Sequence, residues 1–413
     1  MKRIKELGKQ TFASLSVRNF RLYLTGQAIS LVGTWIQRIA QSWLVLQLTN
    51  SGTQLGLITA MQFLPILFLA PVGGMVADRV DKRKILFCTQ SILAVLALLL
   101  GILVLTNSVQ LWIIYIFATC LGVIGAFDNP TRNSFVSEMV GTKNVGNAIG
   151  LSATQTSIAR AVGPAVAGVV ISLAGLGLCF VINAFSFMAV IIVLAMMRPA
   201  ELHRKYKTIM KEKKESKFAD GFKYVLSSPV LFDALFMMAI IGTLTYEFNV
   251  SLPLLAKNTF NGNVGGYATL VSALGLGSIL GGLMGANKHK TNQKYLITVA
   301  FLFGVSFLLV AFMPTLFWAA VSLFFVGIFS INFNAWGNST MQRESDPSMR
   351  GQVMALWTMA FIGSTAIGGP IIGFIGEHAG PRWAVSVGGV AAILVSGIAA
   401  LRLAVFSDKT KVI

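Results

Sequence analysis

The sequence predicts an all-α membrane protein with twelve transmembrane helices in two pseudo-symmetric six-helix bundles. Three observations carry this prediction. First, 55% of the 413 residues are hydrophobic and only 12% are charged, about half of the roughly 25% that soluble domains carry. Second, the apolar residues form runs of about 20, the length of a helix that crosses a bilayer. Third, the second half of the chain repeats the pattern of the first.

Charged residues, Pro, Gly and Asn divide the chain into twelve candidate spans. These lie near residues 20–48, 54–77, 83–105, 110–128, 145–173, 177–197, 228–256, 264–286, 294–313, 316–341, 350–375 and 381–405. Such runs lack period-two alternation and are typical of helices, because backbone N–H and C=O groups exposed to lipid must form their hydrogen bonds within the segment. We therefore expect an N-terminal bundle over residues 1–197, a cytoplasmic basic linker over 198–227 and a C-terminal bundle over 228–413.

The basic residues predict how these spans are oriented. Of the 33 Lys and Arg residues, 29 lie in segments on the side of the N-terminus; Lys257 and Arg382 lie on the other side, and Arg38 and Arg160 lie within spans. Cytoplasmic loops carry the excess of Lys and Arg, so both termini are expected in the cytoplasm. The basic excess is thus a topology signal rather than a nucleic-acid-binding surface.

The end of the linker carries an amphipathic pattern. Its apolar positions are Phe218, Phe222 and Val225, beside Lys217 and Lys223. This spacing predicts a helix lying on the inner membrane surface. For residues 200–215 a solvated tether is the alternative interpretation.

Small residues recur between the two halves at a nearly constant offset. Gly33-Thr34 returns as Gly242-Thr243, Gly73-Gly74 as Gly281-Gly282 and Gly163-Pro164 as Gly369-Pro370. An ordered series of matches over five helices indicates a duplication. Two six-helix halves with a substrate site between them are typical of secondary transporters.

The segment from Gly74 to Lys84, GMVADRVDKRK, resembles the signature loop between helices 2 and 3 of the major facilitator superfamily. Asp81 replaces the second Gly of that pattern, while the other signature residues keep their spacing. The stretches NFRLYLTGQAISLVGTWIQRIAQSWLVLQLT and DNPTRNSFVSEMVG further resemble its enterobactin-exporter and drug:proton antiporter branch, the transmembrane secretion effector type. The resemblance implies a transporter of the major facilitator fold and not an enzyme.

The resemblance also implies a charge network at the inner side that stabilises the outward-facing state. The matching positions are Gly74, Asp78, Arg79, Lys82, Arg83 and, at the end of the fourth span, Asp128. Separately solvated charges are the alternative interpretation of these positions.

The fifth span is similar to a glycine pattern of the family's proton-coupled antiporters. The matching positions are Gly150, Ala159, Gly163, Pro164 and Gly168. This similarity implies export as the direction of transport. A small face would let this span approach the eighth, whose Gly277, Gly281 and Gly285 form a second small face; ordinary close packing is the alternative.

Motifs of other energy sources and chemistries are missing from the sequence. It contains no GxxxxGK[ST] loop for nucleotide phosphates and no HExxH or His/Cys metal cluster. We expect no cofactor or metal, and a proton gradient as the energy source, as in the resembled antiporters.

The first span carries a polar stripe of Gln27, Ser30, Thr34, Gln37 and Gln41. Amides facing lipid would be unsatisfied, so the stripe must face protein or water. A hydrogen-bonded helix seam and a cavity wall are both consistent with it; the resemblance, in which helices 1, 4, 7 and 10 line the cavity, favours the wall. Other residues assigned to the substrate cavity are Arg160, Tyr246, Asn334, Asn338 and Trp357.

Arg38 and Glu247 occupy equivalent positions in the two halves, at an offset of 209 residues. Charges within spans are costly and mark functional sites. We predict that the two side chains pair across the halves as an outer gate, which protonation of Glu247 loosens. Separate charges facing a wet cavity are the alternative, and Asp128 is a further candidate for proton coupling.

Together with the resemblance, the sequence predicts proton-coupled export of an amphipathic small molecule, such as a drug, a siderophore or a lipid-like metabolite, by alternating access across the inner (plasma) membrane of a bacterium. The expected partners are this substrate and the lipid bilayer, with no nucleic acid, and the protein is expected to be a monomer. An importer of the same fold and a membrane receptor that transports nothing are the alternatives.

Overall fold

The computed structural model of the protein describes residues 12–203, 218–285 and 292–409. In these ranges every regular element is helical, which confirms the all-α class. The basic tail at residues 1–11 and the basic stretch 204–217 of the predicted linker lie outside the described residues.

The first half of the chain forms four continuous helices after a short 3-10 turn at Ala13–Ser16. They are α1 (Arg18–Thr49), α2 (Gly52–Arg79), α3 (Lys82–Leu105) and α4 (Leu111–Met196). The 86 residues of α4 would extend about 130 Å if straight, roughly four times the hydrocarbon thickness of a bilayer. Gly141 and Gly175, at φ of 67° and 79°, break it into α4a (111–140), α4b (142–174) and α4c (176–196).

The second half is built from shorter and interrupted helices. They are α5 (Phe218–Ser227), α6 (Pro229–Leu244), α7 (Phe248–Leu254), α8 (Val264–Gly285), α9 (Gln293–Phe312), α10 (Leu316–Arg343), α11 (Arg350–Thr358), α12 (Ser364–His378) and α13 (Pro381–Lys409). The π-helical turns Leu255–Thr259 and Met359–Gly363 continue α7 and join α11 to α12. The helix α5 lies where the amphipathic pattern predicts one.

Residues with a special backbone preference set several helix boundaries. Asn50, Asn107 and Asn261 have positive φ just after helical segments, where Asn tolerates the left-handed conformation. Asp81 accepts a hydrogen bond from the Arg83 amide at 3.0 Å and caps α3. The inner loop expected after residue 128 is absent, and the chain stays helical to residue 140, because residues 131–140 contain no Gly or Pro.

Nine helical stretches within the described ranges are long and apolar enough to cross a membrane, with α4 counted once. The chain is therefore a multi-pass membrane protein. The number twelve stays a prediction at this point.

The chain divides into two compact units. The first unit comprises Met1–Leu44 and Leu64–Met210, and the second comprises Val45–Phe63 and Lys211–Ile413. The first part of α2, residues 52–63, thus belongs to the second unit, while its remainder belongs to the first. The three-part organisation predicted from the sequence, with its boundaries at residues 197 and 227, stays a prediction.

Glycines bring helix backbones into direct contact in both units. In the first unit a Cβ added to Gly73 would lie 2.0 Å from the carbonyl oxygen of Ala126, between α2 and α4a. The repeat-related Gly281 makes the corresponding approach from α8 to α10, where its Cβ would lie 2.5 Å from the Ile328 oxygen. Residues without a side chain are needed at both contacts, because a carbonyl of a packed helix cannot move aside.

The glycine face of α8 packs on a different neighbour from the one expected. The prediction directed this face toward the span that carries Gly163. In the structure a Cβ added to Gly277 would lie 1.8 Å from the Phe324 oxygen of α10, in the same unit. Gly163 instead packs on α1, where its Cβ would lie 2.4 Å from Cβ of Trp35. Spacing identified the small faces but not their partners, since many helices present residues that could accept them.

We expect Gly277→Ala to destabilise the second unit by about 1–3 kcal/mol, because the added methyl group forces α8 away from α10. Tryptophan fluorescence during thermal unfolding of the detergent-purified protein would measure the change. Gly397→Ala is the matched control, since no atom lies within 4 Å of its added Cβ. Equal unfolding temperatures for the two variants would contradict the assigned contact.

Candidate functional site

A buried ion pair lies at the centre of the first unit. Asp128 is 3% exposed and accepts a hydrogen bond from Arg132, one turn later on α4a. The other oxygen of Asp128 accepts from Thr89 Oγ1 at 2.7 Å and from Gln90 Nε2 at 2.9 Å, both on α3. The carboxylate is therefore fully satisfied by side chains of two helices.

Arg132 connects this pair to α1. Its Nη1 donates to Oε1 of Gln27 at 2.6 Å, a member of the polar stripe. In the sequence, Arg132 stands out only as one of the 29 basic residues that lie outside the spans on the side of the N-terminus. The Asp-Arg spacing of four residues on a helix was the available signal, because such residues are neighbours on one face.

The polar stripe of α1 divides into residues with different partners. Gln37 accepts a hydrogen bond from Asn183 of α4c at 2.6 Å, and Thr34 donates to its own helix at the Ser30 oxygen. Ser30 and Gln41 are buried. Gln37 thus belongs to a helix seam, whereas Gln27 also lines a cavity.

The residues predicted as one inner-side network lie in separate clusters. Lys82 pairs with Glu138 of α4a at 2.7 Å, while the contacts of Asp128 are those described above. Arg83 donates to the Leu194 oxygen at 2.7 Å and so binds the end of α4c. The role of this network in stabilising one transport state stays a prediction.

The remaining signature positions lie at or near the end of α2. Asp78 and Lys82 contribute to a cavity of about 390 Å³ with Glu138 and His203. Arg79 ends α2. No atom lies within 4 Å of a Cβ added to Gly74, so the close helix contact uses its neighbour Gly73.

Two arginines of the first unit, Arg38 and Arg160, lie near the ring of one tryptophan, Trp35. The Cζ atoms of Arg38 and Arg160 lie 4.4 and 5.6 Å from ring centroids of Trp35, within the range of cation–π attraction.

Of the fifth-span pattern, Ala159, Gly163, Pro164 and Gly168 are buried, whereas a Cβ at Gly150 would have open space.

Glu247 occupies a break between helices of the second unit. The chain leaves α6 at Leu244 and resumes in α7 at Phe248, and Glu247 is 2% exposed. Thr365 of α12 donates to its carboxylate, and no described residue of the second unit donates a hydrogen bond to Oε1. A break in a membrane helix next to a buried acid is typical of ion-binding sites in transporters.

Two glycines of α12 make room for this carboxylate. A Cβ added to Gly368 would lie 2.9 Å from Oε1 of Glu247, and one added to Gly369 would lie 3.6 Å from Oε2. Gly368 also approaches the Thr243 oxygen of α6, since its Cβ would lie 1.9 Å away. The predicted pair of Glu247 with Arg38, which belongs to the other unit, stays a prediction.

The same face of α12 is crossed by α2. A Cβ added to Gly56 would lie 2.2 Å from the Gly369 oxygen, and one added to Gly373 would lie 2.2 Å from the Gly52 oxygen. Glu377 accepts from Ser51 Oγ at 2.6 Å and from the Thr53 amide at 2.8 Å, and so caps α2. Sequence analysis missed this crossing, although both helices carry the GxxxG spacing of close helix pairs.

The other residues assigned to the substrate cavity lie on α10, α11 and the helix break. Tyr246 packs edge-on against Phe303 and Phe361, and its hydroxyl donates to the Ser330 oxygen at 2.6 Å. Trp357 packs on α10, where a Cβ at Gly337 would lie 2.1 Å from its ring. Asn334 has a buried amide nitrogen without a hydrogen-bond partner among the described residues, and Asn338 accepts from Gln342.

We expect Asp128→Asn to destabilise the protein by about 3–5 kcal/mol, since it leaves the Arg132 charge uncompensated in the interior. Thermal unfolding of the purified protein would measure the loss. The double variant Asp128→Asn with Arg132→Gln removes both charges and should recover most of it. A double variant as unstable as the single one would show that the two charges do not compensate each other.

Comparisons with known proteins agree with this architecture. The sequence profile of the family described as transmembrane secretion effector matches residues 9–411. The chain is 24% identical to the staphyloferrin A transporter of Staphylococcus aureus, over 82% of this chain and 85% of that protein. It is 24% identical to macrolide efflux protein A of Streptococcus pyogenes, over 80% and 82%, and 22% identical to the enterobactin exporter EntS of Shigella flexneri, over 91% and 89%.

Solved structures share the fold at lower sequence identity. A bacterial homologue of the human lysosomal transporter Spinster, in an inward-facing and unoccupied conformation, superposes with a TM-score of 0.71 at 16% identity, covering 93% of this chain and 96% of that one. A POT family transporter in complex with a thioalcohol-conjugated peptide gives 0.74 at 13% identity, over 95% and 96%. The profile match spans nearly the whole sequence, and the chain belongs to the transmembrane secretion effector family, a group of major facilitator transporters and not of enzymes.

Proposed function

We propose that this protein exports an amphipathic small molecule across the bacterial inner membrane by alternating access, driven by protons. The relatives point to export, since their names describe transport of the siderophore staphyloferrin A, export of enterobactin and efflux of macrolides. The single observation that carries the proton coupling is the buried carboxylate of Glu247, which forms no ion pair with a described residue of its own unit.

The proposed architecture is two six-helix bundles with both termini in the cytoplasm. The breaks at Gly141 and Gly175 divide α4 into three spans, so α1 to α4 supply six. The stretches Pro229–Thr259 and Arg350–His378 each act as one span, and with α8, α9, α10 and α13 they supply the other six. Equivalent glycine contacts in the two halves support the pseudo-symmetry.

The surroundings of the buried acids distinguish Glu247 from the others. Asp128 pairs with Arg132, and Asp233 pairs with Arg402 at 2.8 Å. An acid paired with a fixed cation is stabilised as the anion, whereas an uncompensated buried anion costs several kcal/mol. Protonation of Glu247 removes this free-energy cost, because the carboxylate becomes neutral. Glu247 is therefore the best-placed proton carrier.

The crossing of α2 over α12 links this acid to a conformational change. A Cβ added to Gly369 would lie 3.0 Å from the Gly56 oxygen and 3.6 Å from Oε2 of Glu247, so a shift of the Glu247 carboxylate acts close to the crossing. In this proposal α2 and α12 are in contact in one of the two access states and are separated in the other. One proton moving down about 180 mV releases about 4 kcal/mol, enough for a roughly thousandfold substrate gradient.

We expect Glu247→Gln to abolish substrate accumulation driven by a pH gradient while it retains exchange at equal pH. Accumulation of radiolabelled erythromycin and staphyloferrin A in inverted membrane vesicles, with and without nigericin, would measure both activities. Glu201→Gln, at an exposed carboxylate paired with Arg198, is the control. Nigericin-sensitive accumulation at the wild-type level in Glu247→Gln would refute the coupling role.

We expect a covalent link across the α2–α12 crossing to stop transport. Ser51→Cys with Glu377→Cys, in a background without Cys88, Cys120 and Cys179, would be joined by a short bifunctional methanethiosulfonate and released by dithiothreitol. The same vesicle assay would report the loss and recovery of transport.

The control for this experiment is a pair that lies within one surface turn, Arg198→Cys with Glu201→Cys. Cross-linking there should leave transport unchanged. Full transport by the linked pair at positions 51 and 377 would show that the crossing does not open during the cycle.

A further inference from the structure

A second cavity of the first unit lies beside the Asp128–Arg132 pair. It has a volume of about 330 Å³ and is lined by residues of α1, α4a and α4b. All of its lining residues belong to the first unit. The predicted topology places Arg132 at the inner end of its span, so this cavity lies on the cytoplasmic side, from which an exporter loads.

Four buried polar atoms of the cavity lining have no hydrogen-bond partner among the described residues. They are the hydroxyl of Tyr23, Nε2 of Gln27, Nε of Arg132 and Oγ of Ser152. Tyr23 and Gln27 are 2% and 4% exposed. Buried polar groups are ordinarily paired, and a cluster of unpaired ones around one cavity indicates a place where a ligand supplies the partners.

The chemistry of these four atoms is that of hydrogen-bond donors. Gln27 uses its oxygen to accept from Arg132, and because a guanidinium cannot accept, the amide nitrogen is the atom left unpaired. Nε of Arg132 can only donate, and the two hydroxyl groups can turn to donate as well. The cavity therefore matches a ligand group that is rich in acceptor oxygens.

Acceptors that would compete for these donors are already occupied. Both oxygens of Asp128 are held by Thr89, Gln90 and Arg132. The Asp128 carboxylate therefore has no oxygen left to accept from a ligand ammonium or another cationic donor. Leu31, Val136 and Ile149 supply an apolar wall on the other side of the cavity.

We propose that this cavity binds a carboxylate-bearing head group of the transported molecule through Tyr23, Gln27, Arg132 and Ser152. The attached hydrocarbon portion packs on the apolar wall. This assignment rests on the proposed export function and adds the substrate class: molecules with carboxylate oxygens, and not lipophilic cations.

The test uses variants that remove only an unpaired hydroxyl, Tyr23→Phe and Ser152→Ala. Citrate serves as the carboxylate probe, and isothermal titration with the purified full-length protein measures its Kd. Each variant should weaken citrate binding roughly tenfold, because a hydrogen bond to a charged group is lost. Neither should lower the unfolding temperature, since an unpaired buried hydroxyl contributes no bond to the fold, whereas a structural role would lower it.

Two control variants remove hydroxyls away from the unpaired cluster. Ser157→Ala removes a hydroxyl that donates to the Ala153 oxygen on the same helix, and Tyr267→Phe removes a buried hydroxyl of the second unit. Both should bind citrate like the unaltered protein. A Kd for citrate above about 10 mM in the unaltered protein, or unchanged binding in Tyr23→Phe and Ser152→Ala, would overturn the proposal.

Tetraphenylphosphonium provides the opposite probe. Its binding should be absent from this cavity, so a loss of tetraphenylphosphonium binding in Tyr23→Phe and Ser152→Ala would also overturn the assignment. Citrate binding needs no proton gradient, so the head-group site and the coupling role of Glu247 can fail independently of each other.

Discussion

The exclusion of water from the membrane interior forces buried polar groups to find partners within the protein, and the arrangement of this chain follows from that requirement. The Asp128 carboxylate meets it by drawing together α3 and α4a, and Arg132 extends the contact to α1. Asp233 meets it with Arg402 and Gln293, which join α6 to α13 and α9. These charges therefore stabilise particular helix pairings instead of facing lipid.

Groups that do not meet the requirement are the informative exceptions. Departures from a locally consistent structure are expected at functional sites. Among the described residues, Glu247 forms no ion pair within the second unit, and the cavity near Arg132 leaves donors unpaired in the first. The surroundings of Glu247 suit a group that gains and loses a proton, and the cavity near Arg132 suits a ligand that brings acceptor oxygens. Both departures favour transport over a purely structural bundle.

Glycine determines where helices come into backbone contact. Gly73 and Gly281, which the predicted repeat places at equivalent positions, make related contacts in the two units. The crossing of α2 over α12 uses four glycines without a side chain between the backbones. At one end of this crossing Glu377 accepts hydrogen bonds from Ser51 and the Thr53 amide.

The sequence by itself determined the membrane class, the helical secondary structure and the family, and it predicts the duplication. These follow from composition, from the length of the apolar runs and from residue spacing, which can all be obtained from the order of residues along the chain. It also identified Asp128 and Glu247 as unusual, because a charge in an apolar run is visible without a structure. It missed Arg132 as the partner of Asp128, and it directed the glycine face of α8 to the wrong neighbour. Only the tertiary structure decided which side chain meets which, because such pairings depend on how each helix is rotated and placed against the others, and no local pattern carries that information.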